Sequence, residues 1–354
     1  MKIFSISNIK KIDKQNMLEI LLDFPQQCKV AIQIAKNLEV FSLKKDFNKI
    51  VFIGMGGSAI AGDLIRSYLY SEIRIPILVL REYDVAGFLD KESLVFACSY
   101  SGNTEETISF YQQAKEKFST IIGISSGGRL KELCFQDKNL FIEIPKGLPP
   151  RCALGYLGLI PLKILEKLGL ITDREEHYKE LILILEGLKR RLSPTTPKLQ
   201  NPAKYIASKL YNKLPIIYSS SLHFDVVVNR FRTQLNENAK ILAWSNTFPE
   251  LNHNEIEGFS FNNLKRLFKN LVVIFLNDKG MHPQVKKRIS ITSDIIKDIG
   301  IDILGVSSEG NFLLTRIFSL IYILDFASFY LALLYKTDPT PVERIGYLKQ
   351  RLKE

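Results

Sequence analysis

The chain has 354 residues, of which 46% are hydrophobic and 24% charged, a balance typical of a globular protein. Its formal net charge is +11, but Lys and Arg are scattered among Asp and Glu, which indicates a solvated basic surface that attracts anionic metabolites rather than nucleic acid. The four cysteines stand singly, without the CxxC spacing of a zinc site, and the N-terminus has no apolar signal segment. These features predict a cytoplasmic protein with reduced thiols.

The first half of the chain alternates between two apolar patterns. Residues 14–40 have helical spacing that is interrupted at Pro25. Strands are then predicted at Ile50–Ile53, Ile75–Leu80, Leu94–Cys98, Thr120–Ile124 and Leu140–Ile144, and helices at Ala59–Tyr70, Thr104–Lys117, Leu130–Gln136 and Leu154–Leu168. Continuous apolar strands that alternate with helices predict a parallel sheet covered on both faces.

Residues 171–203 begin as an amphipathic helix and end as a Pro-rich polar linker, where a domain boundary is expected. The alternation then restarts with strands at Ile216–Ser219, Val272–Leu276 and Ile301–Val306, and helices at His223–Asn238, at Val285–Ile299 and from Asn311 onward. The sequence therefore predicts the α/β class, with two similar units in tandem and mainly parallel sheets.

The segment Ile317–Tyr335 is long and apolar enough to raise the question of a membrane span. Asp325 stands at its centre, with Ser319 and Ser328 on either side. These polar residues favour a buried core helix, so no membrane association is expected.

Two strands end at clusters of small and hydroxyl residues that lead directly into helices. Gly54–Ala59 follows one strand and Ser99–Thr104 another. Such turns direct backbone N–H groups and the positive ends of helix dipoles into one crevice, which suits phosphate oxygens. The hydroxyl groups of Ser58, Ser99, Ser101 and Thr104 add further donors, so the sequence predicts a phosphorylated small-molecule ligand.

Each cluster also has an alternative interpretation. Gly54–Ala59 satisfies G-x-G-x-x-A, and acidic residues occur near the end of the second strand, as a dinucleotide fold requires. Asn103 with Glu106 satisfies the spacing of a capping box, which would explain those two residues. Neither alternative explains the hydroxyl residues of the second cluster, because a dinucleotide site does not need a second cradle of this kind.

The chain resembles the bifunctional phosphoglucose/phosphomannose isomerases, which consist of two sugar-isomerase (SIS) domains. The resemblance rests on six runs that stand in the order and approximate spacing of that family: GMGGSAIAGDL, CSYSGNTEET, GLPPRCALGY, RTQLNENAK, PELNHNEIEGF and DPTPVERIGYLK. It implies αβα SIS domains over residues 46–170 and 204–335. A helical segment over 1–45 would come before the first domain, residues 171–203 would join the two domains, and residues 336–354 would form a tail after the second.

The resemblance implies an aldose–ketose isomerase that interconverts glucose 6-phosphate or mannose 6-phosphate with fructose 6-phosphate. No cofactor, metal or nucleotide is expected, because side chains suffice for the proton transfers. The site is expected at the carboxyl ends of the first sheet, completed by the second domain. A homodimer is also implied, in which the partner subunit contributes a histidine.

The resemblance also assigns residue roles. The phosphate clamp would consist of Gly56, Gly57, Ser58, Ser99, Ser101 and Thr104. Glu237 would be the general base, for which the alternative is a solvent-facing helix glutamate. Arg151 would stabilise the enediolate, for which the alternative is a surface arginine.

Two further residues would open the sugar ring. His253 lies in a polar setting, and an imidazole changes protonation near neutral pH. Lys336 would assist at the ring oxygen, for which the alternative is a lysine that interacts with the helix dipole. The other three histidines are expected to be structural.

Three functional alternatives remain open at this stage: an SIS regulator that binds without catalysis, an NAD-dependent dehydrogenase, and a phosphoglucose isomerase with a single substrate. Conventional phosphoglucose isomerases restrict rotation about C2–C3 of the substrate with a bulky side chain from the C-terminal helix. Here the corresponding stretch contains Ala327 and Ser328, and these small residues predict room for both sugars.

Overall fold

The computed structural model describes residues 2–40, 43, 46–85, 87–260 and 265–352. Residues 41–42 and 44–45 of the expected N-terminal segment, and residues 353–354 of the expected tail, lie outside the described residues.

The described residues form helices and strands along most of the chain. The strands are β1 (Lys49–Ile53), β2 (Ile77–Leu80), β3 (Ser93–Cys98), β4 (Thr120–Ser125), β5 (Leu140–Glu143), β6 (Leu214–Ser220), β7 (Trp244–Phe248), β8 (Leu271–Asn277) and β9 (Asp302–Ser307). The α-helices are α1 (Ile6–Ile12), α2 (Met17–Leu22), α3 (Phe24–Lys36), α4 (Gly56–Leu69), α5 (Glu105–Glu116), α6 (Gly128–Gln136), α7 (Leu154–Lys167), α8 (Glu175–Leu192), α9 (Pro202–Leu210), α10 (Ser221–Asn238), α11 (Lys265–Phe268), α12 (Pro283–Asp298), α13 (Leu313–Leu334) and α14 (Glu343–Arg351). Short 3₁₀ helices occur at Lys2–Phe4, Pro150–Cys152, Glu250–His253 and Glu255–Ser260.

The chain divides into two compact units. The first unit is Asp23–Ile182, and the second unit combines Met1–Leu22 with Leu183–Glu354. The division falls inside α8, and each unit contains one parallel sheet.

The sheet of the first unit has the order β2-β1-β3-β4-β5, and every neighbouring pair is parallel. Both of its faces are buried. Phe52 and Phe96 stack on one face with ring centroids 4.8 Å apart, whereas Val51 and Val95 belong to a buried cluster that includes Phe110 of α5. Burial on both faces is why these strands read as continuous apolar runs.

The sheet of the second unit has the order β7-β6-β8-β9 and is also parallel. Its strands and the helices that cover them bury Tyr218, Val273, Phe275 and Ile296 in one cluster. The predicted α/β class with two parallel sheets is therefore confirmed.

Three local differences from the sequence analysis have physical reasons. The helical break falls at Asp23, because Pro25 lies in the first turn of α3, where a missing N–H costs no hydrogen bond. The edge strand β7 lies outside the predicted strands, because its polar residues Ser245, Asn246 and Thr247 resemble a loop. Helix α9 lies outside the predicted helices, because it begins inside the predicted linker at Pro202.

Helix α13 is long and apolar enough to cross a membrane, but 94% of its most apolar 18-residue stretch is buried inside the protein. At its centre the Asp325 carboxylate accepts hydrogen bonds from Arg230 Nε at 3.1 Å and from Arg230 Nη2 at 2.6 Å. The interpretation of this segment as a core helix of the second unit is consistent with both observations.

Candidate functional site

The first sheet has a topological switch point between β1 and β3. From β1 the chain goes to β2 on one side, and β3 lies on the other side of β1. Open α/β sheets bind ligands outside the carboxyl ends of the strands at such a point. Both clusters singled out in the sequence, Gly54–Ala59 and Ser99–Thr104, lie there.

The loop after β3 is a tight turn organised by its own hydroxyl groups. Ser99 Oγ lies 2.8 Å from Thr104 Oγ1 and accepts a hydrogen bond from Gly102 N at 3.1 Å, while Ser101 Oγ accepts one from Asn103 N at 3.3 Å. Ser99 is fully buried, Thr104 is half-buried and Ser101 is exposed. Ser101 and Thr104 are therefore the hydroxyl groups of this loop that a ligand can reach.

The loop after β1 joins the same crevice. Ser58 Oγ, in the first turn of α4, accepts a hydrogen bond from Tyr100 N at 3.4 Å. Gly56 has a φ of +50°, a backbone conformation that favours glycine, and it is the first residue of α4. The two predicted clusters are thus linked directly.

A third loop, after β4, supports the second and was not singled out in the sequence. Ser126 N and Ser126 Oγ both donate to the Tyr100 carbonyl, at 2.9 and 2.7 Å. Gly102 has a φ of +72°, and a Cβ there would lie 1.7 Å from the Gly127 carbonyl oxygen, so only glycine allows this approach. The Ser-Ser-Gly-Gly run at 125–128, directly after a predicted strand, was the signal that could have identified the loop.

The capping-box interpretation of Asn103 is wrong. Helix α5 begins at Glu105 with Thr104 as its N-cap residue, and the Asn103 side chain accepts a hydrogen bond from Arg129 N at 2.9 Å instead. Asn103 therefore ties the second loop to the start of α6, a non-local contact that local spacing does not reveal.

Arg151 lies against the first loop and is only 4% exposed, so its interpretation as a surface arginine is wrong. A Cβ on Gly57 would lie 2.9 Å from Arg151 Cα and 3.0 Å from the Pro150 carbonyl oxygen. Glycine at position 57 is thus what lets the Pro150–Cys152 helix rest on the start of α4.

Gln27 fixes the segment around Arg151 through two further hydrogen bonds. Its Nε2 donates to the Cys152 carbonyl at 2.9 Å, and its Oε1 accepts from Gly155 N at 2.7 Å. Arg151 is therefore presented by a fixed backbone, which preorganises a guanidinium better than a mobile loop does. Gln27 lies far from Arg151 in the chain, and its role has no local sequence signal.

Glu237 lies in the last turn of α10, in the second unit, and is half-buried. It faces a cavity of about 600 Å³. The cavity is lined by Asn236, Glu237, Lys240, Ile241, Leu242, Thr337, Asp338, Pro341, Val342, Glu343, Arg344 and Ile345. Glu237 therefore shares a concave, largely apolar wall with the segment that follows α13.

Lys240 holds that segment in place. Its Nζ donates to the carbonyls of Glu237, Pro339 and Pro341, the last two at 3.2 and 2.5 Å. The backbone of Glu237 and the chain after α13 are thus tied to one ammonium group.

Lys336 is exposed and follows the end of α13 with a φ of +55°. Lys336 N donates to Leu333 O and Thr337 N to Ala332 O, both at 3.0 Å, which ends the helix in a left-handed turn. This turn directs Thr337 and Asp338 into the cavity wall that contains Glu237.

His253 ends the 3₁₀ helix Glu250–His253 and is exposed. It is not among the described residues that line the Glu237 cavity. Two other histidines have structural contacts, as expected: His177 Nδ1 lies 2.7 Å from Tyr68 Oη, and His282 Nδ1 accepts from Gln284 N at the start of α12.

Ala327 and Ser328 do not leave the open space that the sequence suggested. Both are fully buried in α13, and Ser328 Oγ donates to the Asp325 carbonyl and accepts from Asn238 Nδ2 at 2.9 Å. The register of α13 turns Ser328 toward Asn238 of α10. Neither Ala327 nor Ser328 is among the described residues that line the Glu237 cavity.

The carboxyl edge of the second sheet differs from that of the first sheet in the side chains that it presents. After β8, the Asp278 carboxylate accepts from Arg316 Nε at 2.8 Å, from Ser308 Oγ at 2.5 Å and from Gly280 N at 2.7 Å. At this edge the second sheet therefore has an internal carboxylate–guanidinium pair, whereas the first sheet has its hydroxyl-rich loops.

Known families match both units. The SIS domain family matches residues 45–132, and the family described as the bacterial phospho-glucose isomerase C-terminal SIS domain matches residues 199–352. Among solved structures, a hypothetical protein from Thermus thermophilus is similar with a TM-score of 0.74 and 14% identity, covering 94% of this chain and 89% of that one. That likeness establishes the fold alone.

Curated relatives are similar along nearly the whole chain. The bifunctional phosphoglucose/phosphomannose isomerase of Caldicellulosiruptor bescii is 43% identical over 96% of this chain and 99% of its own length. The protein of the same name from Aquifex aeolicus is 35% identical over 87% of this chain and 91% of its own length.

Proposed function

The chain belongs to the family of bifunctional phosphoglucose/phosphomannose isomerases, and we propose that it interconverts glucose 6-phosphate or mannose 6-phosphate with fructose 6-phosphate. The observation that carries this proposal is the crevice at the carboxyl ends of β1 and β3, where two hydroxyl-rich loops meet and the buried Arg151 lies against one of them.

The substrate phosphate is bound by this crevice. Ser101 and Thr104 donate their hydroxyl hydrogens, and backbone N–H groups around Gly56 and Gly57 add the positive end of the α4 dipole. Ser58 joins the two loops by accepting a hydrogen bond from Tyr100 N, and Ser99 stabilises the turn after β3 by accepting one from Gly102 N. Phosphate anchoring then fixes the position of C1 and C2 relative to the reacting groups.

The reaction begins with ring opening. The C1–O5 bond of the pyranose breaks, O5 gains a proton and the C1 hydroxyl loses one, which leaves the open-chain aldehyde. His253 transfers these protons, and the Lys336 ammonium stabilises negative charge at the ring oxygen.

Isomerisation then requires one proton to move between two carbons. The Glu237 carboxylate removes the C2 proton, the electron pair forms the C1–C2 double bond, and the C1 carbonyl oxygen becomes an enediolate oxygen. The Arg151 guanidinium stabilises that negative charge. Glu237 returns the proton to C1, and the C2 hydroxyl becomes the ketone by passing its own proton to the C1 oxygen, so atoms and charge balance without a cofactor or metal.

The proposal also covers the domain organisation and the assembly of the protein. We propose SIS domains over 46–170 and 204–335, with 171–203 between them; the families that match residues 45–132 and 199–352 overlap these ranges. We also propose a cytoplasmic homodimer in which each site receives His253 from the partner subunit. The exposure of His253 and its absence from the described residues lining the Glu237 cavity support that assignment.

A coupled assay with each aldose tests the proposal. Glucose 6-phosphate and mannose 6-phosphate differ only at C2 and yield the same enediolate, so the two kcat/KM values are expected to agree within about tenfold, or about 1.4 kcal/mol. A preference for glucose 6-phosphate above about a thousandfold would reduce the function to a single-substrate isomerase. Sugar phosphate binding without turnover of either aldose would instead indicate a regulator.

A further inference from the structure

Glu255, two residues after His253, receives three side-chain hydrogen bonds from two strands. Its carboxylate accepts from the Tyr218 hydroxyl of β6, from Trp244 Nε1 at 3.1 Å and from Asn246 Nδ2 at 2.5 Å, both in β7. Hydrogen bonds to an ionised carboxylate are stronger than those between neutral groups. The chain directly after His253 is therefore anchored to the second sheet.

The Tyr218 donor is itself fixed. Its ring is fully buried and packs near Phe248 and Phe275, with centroids 6.1 and 5.9 Å away. Burial, together with the hydrogen bond to Glu255, raises the pKa of the Tyr218 phenol, so that it stays protonated and able to donate throughout the neutral range.

The chain before His253 is also held. Leu251 is fully buried, and the Asn252 side chain donates to Thr292 Oγ1 of α12 at 3.0 Å. His253 is thus an exposed residue between two anchored neighbours. Its imidazole is the part of this segment that is presented to solvent.

We propose that Glu255 is a positioning residue that fixes His253 for ring opening. This inference rests on the proposed function, in which His253 transfers the ring-opening protons. Proton transfer requires an imidazole held within hydrogen-bond reach of the reacting oxygens, and a loosened segment would spend less time in that geometry.

The geometry requires a carboxylate at position 255. Asn246 Oδ1 accepts from Thr247 N at 2.7 Å, and this contact orients the Asn246 amide so that its Nδ2 faces Glu255. A glutamine at position 255 keeps the shape of the side chain but cannot accept from all three donors as well, because one of its two ends is an NH₂ group. That NH₂ group faces either the NH₂ group of Asn246 or the donors of Tyr218 and Trp244, and in both cases two donors oppose each other.

Four variants test the inference: Glu255→Gln, Asn246→Asp, the double variant, and Glu257→Gln as control. Glu257 is an exposed glutamate of the same 3₁₀ helix. We expect Glu255→Gln to lower kcat at least about tenfold with KM within about twofold, since substrate binding is retained. Asn246→Asp should also lose activity, because two carboxylates then face each other.

The double variant provides the rescue. An aspartate at position 246 still accepts from Thr247 N and now also accepts from the amide that Glu255→Gln introduces, so kcat is expected to return to within about threefold of the wild-type value. The control should match the wild type. A double variant no better than Glu255→Gln would overturn the inference.

Hydrogen exchange of residues 250–258, followed by mass spectrometry, tests the anchor independently of activity. Exchange should be at least about tenfold faster in Glu255→Gln than in the wild type and unchanged in Glu257→Gln. Unchanged exchange in Glu255→Gln would overturn the anchor, and faster exchange with wild-type kcat would overturn the link to His253. If the wild type turns over neither aldose, the proposed function fails, while the exchange result still decides whether Glu255 anchors the segment.

If Glu255→Gln does not fold, Tyr218→Phe removes one donor and keeps the packed ring. Tyr218→Phe should have the same kind of effect as Glu255→Gln but a smaller one, with kcat lowered about threefold and KM unchanged. Wild-type kcat in Tyr218→Phe would then count against the inference.

Discussion

At the scale of single residues, the hydroxyl groups of the second loop differ in what they do. Ser99 is buried and bonded within the turn, whereas Ser101 is exposed and Thr104 is half-buried. A hydroxyl group that accepts one hydrogen bond can still donate its hydrogen to another acceptor. Removal of the Ser101 or Thr104 hydroxyl group should therefore weaken substrate binding.

Ser101→Ala and Thr104→Ala are each expected to raise KM about 10- to 100-fold, because one hydrogen bond to a charged phosphate contributes about 1.5–3 kcal/mol. Steady-state kinetics with glucose 6-phosphate measures this effect. Ser109→Ala is the matched control, since Ser109 lies further along α5 and donates to the Tyr83 carbonyl. A double variant Ser101→Ala/Thr104→Ala with wild-type KM would place the phosphate elsewhere.

At the scale of elements, α10 and α13 pack through a polar seam. Arg230, Gln234 and Asn238 recur every four residues along α10, and they bond Asp325 and Ser328 of α13. Their spacing puts them on one face of α10, while Glu237, one residue before Asn238, faces the cavity. The seam thus sets the rotation of α10 about its axis.

Asp325→Ala is expected to lower the free energy of unfolding by about 3–5 kcal/mol, because it leaves the Arg230 charge buried without its carboxylate. The double variant Arg230→Met/Asp325→Ala should recover a large part of that loss, since it removes the unpaired charge as well. Urea unfolding followed by circular dichroism measures both. A single variant as stable as the wild type, or a double variant less stable than the single one, would contradict this account of the seam.

At the scale of the whole molecule, the proposed dimer makes each site depend on two chains. Glu237→Gln keeps the shape of the side chain and removes its basicity, so kcat should fall at least about 100-fold. His253→Ala should be similarly impaired in ring opening. In a mixed dimer, one of the two sites receives an intact Glu237 from one subunit and an intact His253 from the other.

Mixing the two inactive variants under conditions of subunit exchange is therefore expected to restore activity, up to about one quarter of the wild-type rate for a statistical mixture. Native mass spectrometry verifies that mixed dimers have formed. Verified mixed dimers without activity would show that each subunit supplies its own histidine, and a monomer in solution would contradict the proposed assembly.

Much of the fold follows from local sequence. Continuous apolar strands, helical spacing and the hydroxyl-rich turns after β1 and β3 each depend on neighbouring residues, so one sequence suffices to predict two parallel sheets and the place of the crevice. The six family motifs identify the same relatives that the comparison of whole chains shows.

Tertiary structure decided what depends on residues far apart in the chain. Gln27 braces the segment of Arg151, Asn103 bonds the start of α6, and Glu255 binds Tyr218 across 37 positions. The register of α13 also turned Ser328 toward Asn238, against the expectation of open space. Sequence periodicity gives the type of an element, whereas the contacts that orient its side chains depend on how elements distant in the chain pack together.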